Sequence, residues 1–89
     1  MNSVVTEAIP TLTVETVNNW LYDYVVNVLD LNKADILPDV PLQNLGLDSS
    51  SAVGLISDLA SWSGVPLGVK VLRKHNSIKS LAEYVVQNI

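Results

Sequence analysis

Apolar residues at Val14, Val17, Leu21, Tyr24, Val25 and Val28 recur three or four positions apart, the spacing that lines one face of a helix with 3.6 residues per turn. Thr13 stands just ahead of the run as an N-cap, with Glu15 in the first turn, so the pattern predicts a helix over residues 14–30. From Leu31 to Leu47 the chain is broken by Pro38 and Pro41 and carries Asp35 and Asp39, which predicts a long connection instead of a helix. A connection of that length in a small domain is functional or pinned. Leu31, Ile36, Leu42 and Leu45 are the residues available to pin it, each worth roughly 1.5–3 kcal/mol if fully buried.

The next apolar set, Val53, Leu55, Ile56, Leu59, Ala60 and Trp62, covers a broad arc and predicts a second helix over Ser49–Ser63, stopped by Gly64 with Pro66 behind it. Val69 to Lys74 makes a short helical turn with Val71 and Leu72 inward and Lys70, Arg73 and Lys74 outward. Ser77 then caps a closing helix in which Ile78, Leu81, Ala82, Val85 and Ile89 share one face. Strand alternation, hairpin turns and internal repeats are missing from the pattern. The expected fold is all-α, a bundle of three longer helices plus one short helix, with the long loop between the first and second. Residues 1–11, ending near Pro10, have no periodicity and predict a flexible lead-in to a domain over 12–89.

Composition narrows what such a domain can be. At 89 residues and 48% hydrophobic, the chain has material for one core. It has no cysteine, which excludes disulfides and thiolate zinc sites, so the fold rests on packing. Residues 1–63 hold eight acids and one base, and residues 64–89 one acid and four bases. The net charge of −4 and pI near 4.5 argue against a nucleic-acid binder, which needs a basic face. The N-terminus lacks a basic segment followed by a long apolar one, and no apolar run approaches the roughly 20 residues that span a bilayer. A cytoplasmic monomer is expected.

A single histidine and no Gly-x-Ser-x-Gly elbow leave little for catalysis. His75, after a basic stretch, suits capping helix-end carbonyls. Trp20 and Trp62 are candidate partner anchors, but packing is the default for an indole. Lys70, Arg73, Lys74 and Lys79 read as a solvated face, and no cluster of metal ligands or glycine-rich phosphate loop stands out.

The segment Asn44-Leu-Gly-Leu-Asp-Ser-Ser-Ser-Ala-Val53 carries the chemistry. Gly46 permits a sharp turn, and Asp48 or a following serine can accept a bond from an unpaired N–H of the first helical turn, worth about 1 kcal/mol. A hydroxyl there is exposed near the positive end of the helix dipole, which favours an added negative charge by roughly 0.3–1 kcal/mol. On these residues alone, a plain polar cap and a presented nucleophile are both open.

Leu42-x-x-Leu-Gly-Leu-Asp-Ser49, followed by Val53-Gly-Leu-Ile-Ser-Asp-Leu59, Gly64-Val-Pro-Leu67 and Ser77-Ile-x-x-Leu-Ala-x-Tyr84, resembles the acyl carrier proteins from about Val14 to Val86. The resemblance implies a carrier that is not an enzyme. Ser49 would bear a phosphopantetheine arm, transferred from coenzyme A by a phosphopantetheinyl transferase, whose terminal thiol holds an acyl group as a thioester. Asp48 would shape the turn and assist that transferase. Leu47, Ser50, Val53, Gly54 and Ile56 would be contacts for partners or cargo, with Leu47 and Val53 foremost.

Gly-Leu-Asp-Ser49 and Val71-Leu-Arg-Lys-His-Asn-Ser77 look closer to polyketide-type carriers than to peptidyl ones. Asp58-Leu-Ala-Ser-Trp-Ser-Gly64 resembles carriers that work beside fatty-acyl-adenylate ligases. The implied partners are thus an acyl-adenylate ligase or enzymes of a polyketide or fatty-acid synthase, serving a free-standing carrier. An aminoacyl or peptidyl carrier is the alternative within the class. An unmodified helical interaction module, with Ser49 only a cap, is the alternative outside it. Ser50 stands where the family usually has leucine and Gly54 where it commonly has glutamate. Asp48 and Asp58 are the only charges on the second helix and its cap, so steering by charge should be weak there.

Overall fold

Thr13 starts the first helix: its Oγ1 accepts the backbone N–H of Thr16 at 3.1 Å, satisfying a donor that the helix itself leaves unpaired. The computed structural model describes residues 12–89, and the flexible lead-in expected over 1–11 lies outside them. The described residues form four α-helices, α1 (Val14–Leu29), α2 (Ser49–Ser63), α3 (Val69–Lys74) and α4 (Ile78–Gln87), with short 3₁₀ turns at Lys33–Asp35 and Leu42–Leu45. No strand occurs among the described residues. Helix α1 ends one residue before the sequence pattern suggested, because Asp30 turns left-handed at φ 55° and caps Val26.

Helix α1 packs along α4. Val17, Leu21 and Val25 of α1 and Ile78, Leu81, Ala82 and Val85 of α4 are wholly buried, and Leu55 and Leu59 of α2 complete the core. Two expected core positions are exposed. Val28 is 47% open. Ile89 lies past the final capping bond from Asn88 N–H to the Val85 carbonyl, outside the helix altogether.

Ile36 and Leu42 are buried and Leu31 and Leu45 half-buried, so the four expected pins hold the long loop. Two backbone bonds add to them. The Leu42 N–H donates to the Asn76 carbonyl at 2.7 Å, and the Lys79 N–H to the Pro38 carbonyl at 2.9 Å. They tie the loop to the turn between α3 and α4, and so fix the approach to α2.

Aromatic packing joins α1 to α2. The half-buried Trp20 stacks on Tyr24 at 5.1 Å between ring centroids and on Trp62 at 5.2 Å, the offset packing that aromatic faces prefer. The Tyr24 hydroxyl donates to Asp58 Oδ2 at 2.8 Å. Burial, then the bond to Asp58 and its charge, push the Tyr24 phenol up to about 12. A raised phenol pKa means that the fold favours the protonated ring. Its stabilisation is therefore complete below the ordinary value of 10 and fades as pH climbs through 12.

In an ultraviolet titration, one of the three tyrosines should ionise late. Tyr24→Phe should remove that late step and lower stability in a denaturant melt by about 0.5–1.5 kcal/mol.

Candidate functional site

The approach to α2 is set by Gly46, whose φ of 104° is one that side-chain-bearing residues rarely adopt. Its N–H bonds the Gln43 carbonyl at 3.1 Å and the Leu47 N–H bonds the Leu42 carbonyl at 3.3 Å. This turn drops Leu47 into the core, at 7% exposure, and brings Asp48 to the N-cap of α2. Asp48 Oδ1 accepts the Ser51 N–H at 2.8 Å.

That bond, chiefly, holds the Asp48 carboxyl below the usual carboxylate value. The cap is therefore in place above the ordinary carboxyl pKa and is lost only as pH falls through the lowered one. The Ser51 hydroxyl adds to that lowering. Ser49, the first residue of α2, is exposed.

Ser49 also stands at the edge of a cleft of about 390 Å³, within the size range of small-molecule sites, about 300–1,000 Å³. Buried Leu42 and Leu47 and half-buried Ala52 and Leu72 form its apolar wall. Exposed Gln43, Asp48, Arg73 and Asn76 form the polar part. Three segments that are separate in the chain thus meet here: the loop, the start of α2, and the end of α3 with the turn after it.

The expected site residues separate by burial. Ser49, Ser50 and Val53 face outward, Val53 at 53% exposure. Leu47 and Ile56, expected as contact residues, pack in the core instead, because the Gly46 turn points Leu47 inward and Ile56 shares the buried face of α2 with Leu55 and Leu59. Leu47 still reaches the cleft wall. His75 does not use its ring on helix-end carbonyls: Nδ1 pairs with the Ser80 hydroxyl at 2.8 Å and the ring packs on Tyr84. Gln43, Leu72, Arg73 and Asn76 were not expected at the site. Only the inward reading of Leu72 and the outward reading of Arg73 bore on them, since their convergence requires the folded loop.

Gly54 lies beneath α1, where an added Cβ would meet the Tyr24 hydroxyl at 3.4 Å, ordinary contact. Gly54→Ala should therefore keep most of the helix-propensity gain of about 1 kcal/mol and raise the thermal midpoint by about 4–8 °C at most. A lowered midpoint in calorimetry would show that the hydroxyl cannot yield.

The sequence profile of the phosphopantetheine attachment site matches residues 19–85. The chain belongs to the phosphopantetheine-binding carrier family. Over 76 residues this carrier is 46% identical to the acyl carrier protein TtuC of Teredinibacter turnerae, with 85% of this chain and 87% of that one covered. Among solved structures, a free-standing peptidyl carrier protein from a secondary metabolic pathway of Acinetobacter baumannii superposes with a TM-score of 0.77 at 26% identity, over 83% of this chain and 92% of that one. The HMG-ACPI domain of the CurA module from Lyngbya majuscula shares the fold, with a TM-score of 0.78 at 19% identity and coverage of 89% and 80%.

The carrier is accordingly an all-α, non-catalytic protein that bears covalent phosphopantetheine and works with transferases and synthases. Among its described residues, no helix is long and apolar enough to cross a membrane, and no group of three or more potential metal ligands comes together.

Proposed function

We propose that Ser49 is the attachment residue and that residues 12–89 form a cytoplasmic, monomeric carrier of acyl groups, loaded by an acyl-adenylate ligase or by polyketide or fatty-acid synthase enzymes. The observation that carries this reading is the exposed hydroxyl of Ser49, held at the start of α2 by the Asp48 cap and opening on the cleft. The 46% identity to an acyl carrier protein supports an acyl cargo.

The residues fit the group. The Asp48 carboxylate beside Ser49 is taken up by the α2 cap, so the transferase takes the hydroxyl proton as Oγ attacks the pantetheine-bearing phosphorus of coenzyme A and 3′,5′-ADP leaves. When bound, the arm supplies a thiol that holds the cargo as a thioester. Asp48 keeps the helix start rigid, and the outward face of Ser50 and Val53 receives the partner. Docking then makes delivery effectively intramolecular, at local concentrations that reach about millimolar with a short flexible link.

The test is intact mass after incubation with coenzyme A and a broad-specificity transferase, followed by peptide mapping. One arm, on Ser49, is expected; a chain that gains no mass would be the unmodified interaction module. Similarity to a peptidyl carrier favours aminoacyl cargo as the second reading. Parallel loading with acyl- and aminoacyl-adenylating enzymes separates the two.

A further inference from the structure

Helix α2 has a second exposed flank, turned away from Ser49. Asp58 follows Ser49 by nine positions, and Trp62 follows Val53 by nine. Nine residues make about two and a half helical turns, so Asp58 and Trp62 stand roughly opposite the serine and the outward valine. Trp62 is 39% exposed, although its ring stacks on Trp20 with the planes 16° apart. Trp20 and Tyr24, on α1, are only half-buried themselves.

Asp58 adjoins this open ring. Its Oδ2 accepts the Tyr24 hydroxyl at 2.8 Å, and a carboxylate with one oxygen engaged has acceptor capacity to spare. Among the described residues Asp58 takes part in no ion pair, whereas Asp23 is paired with Lys33. Neither α1 nor α2 contains a lysine, arginine or histidine, and their ionised groups are Glu15, Asp23 and Asp58. An indole face and a carboxylate are thus presented together on a surface that these two helices make wholly acidic.

From this pairing we infer that the Trp62–Asp58 flank docks an arginine-bearing, basic segment of a partner protein, at a place separate from the face that receives the loading enzyme. The contact itself does not depend on which serine bears the arm.

Residues four apart on a helix are neighbours, about 5–6 Å between Cβ atoms. A guanidinium laid flat on the Trp62 ring therefore brings its N–H edge to Asp58, so one side chain makes a cation–π contact and an ion pair together. An ammonium has no flat face to stack. A purely apolar partner would take the Asp58 charge out of water without a counter-charge. A protein held on this flank leaves the opposite one free, so the contact suits a partner that retains the carrier while other enzymes act on its cargo. Retention of that kind raises local concentration without blocking delivery.

The full 89-residue chain, labelled with ¹⁵N, is titrated with octaarginine blocked at both ends, and with octalysine and octaglutamate in parallel. The two tryptophans give one indole N–H signal each. Octaarginine should move the Trp62 indole signal and the backbone signals of residues 57–62 most. Octalysine should bind at least twofold more weakly, and octaglutamate not at all. Asp58→Asn, which can still accept the Tyr24 hydroxyl, and Trp62→Leu should each weaken octaarginine binding about two- to fivefold, the range of an exposed ion pair or cation–π contact. Asp39→Asn makes the same change of charge on the exposed part of the long loop and should leave the affinity as it is.

Shifts centred elsewhere, equal affinity for octalysine, or Asp58→Asn binding like the wild type would overturn the inference. Should Trp62→Leu fail to fold, Asp58→Asn carries the test alone. A sedimentation coefficient that rises with carrier concentration, and no longer does so in Asp58→Asn, would overturn it in favour of a second copy of this chain.

Discussion

Ser49→Ala should take up no phosphopantetheine at all while keeping its helical circular dichroism and its melting behaviour. The loss is complete because no other atom can replace Oγ as the attacking oxygen. The fold survives because Ser49 is exposed and the cap of α2 belongs to Asp48. Alanine is also the best helix former, so stability should stay within about 0.5 kcal/mol or rise slightly. Ser50→Ala and Ser51→Ala should remain substrates for the transferase. Intact mass on the three variants checks the assignment. An arm mapped to Ser50 or Ser51, or mass gained by Ser49→Ala, would move the site.

Helix positions were legible because each is set by residues close in sequence. Thr13, Asp48 and Ser77 cap through bonds to the N–H three residues on, and Gly64 closes α2 with a left-handed φ of 77°. Such contacts involve one turn of chain and survive in the pattern of types. The loop was legible in part: the prolines marked it and its apolar residues pinned it. Its bonds to Asn76 and Lys79, however, join positions dozens of residues apart, and nothing local encodes them.

Which apolar residues would stay exposed was less legible. The arc on α2 is broader than its neighbours can cover, so Leu55, Ile56 and Leu59 are buried while Val53 and Trp62 remain open. Periodicity finds the arc but not its edges. The aromatic link between α1 and α2 was hidden for the same reason, since Trp20, Tyr24, Asp58 and Trp62 meet only when the helices cross. Within the site, the Gly46 turn and the Asp48 cap could be read directly, whereas the inward turn of Leu47 could not. The cleft could not, because Arg73 and Asn76 lie beyond α2 in the chain and reach it only through the fold.

That open edge of α2 bears on partner choice. Residues 50–57 contain no ionisable side chain, and Val53 is 53% exposed on the second turn after Ser49. Val53→Asp should reduce loading by the cognate enzyme at least tenfold in kcat/KM. Tenfold corresponds to about 1.4 kcal/mol. Burying a valine against a partner is worth up to roughly 1.5–3 kcal/mol, and an aspartate there must in addition be desolvated without a counter-charge. The variant should stay folded, since no core contact is lost and a carboxylate near the N-terminal end of a helix is favourable. Raising salt from low to physiological levels should lower wild-type loading only modestly, because exposed ion pairs contribute under about 1 kcal/mol and an apolar anchor is little screened. Loading that collapses with salt yet tolerates Val53→Asp would assign recognition to Asp48, Asp58 or the Lys70–Lys74 stretch instead.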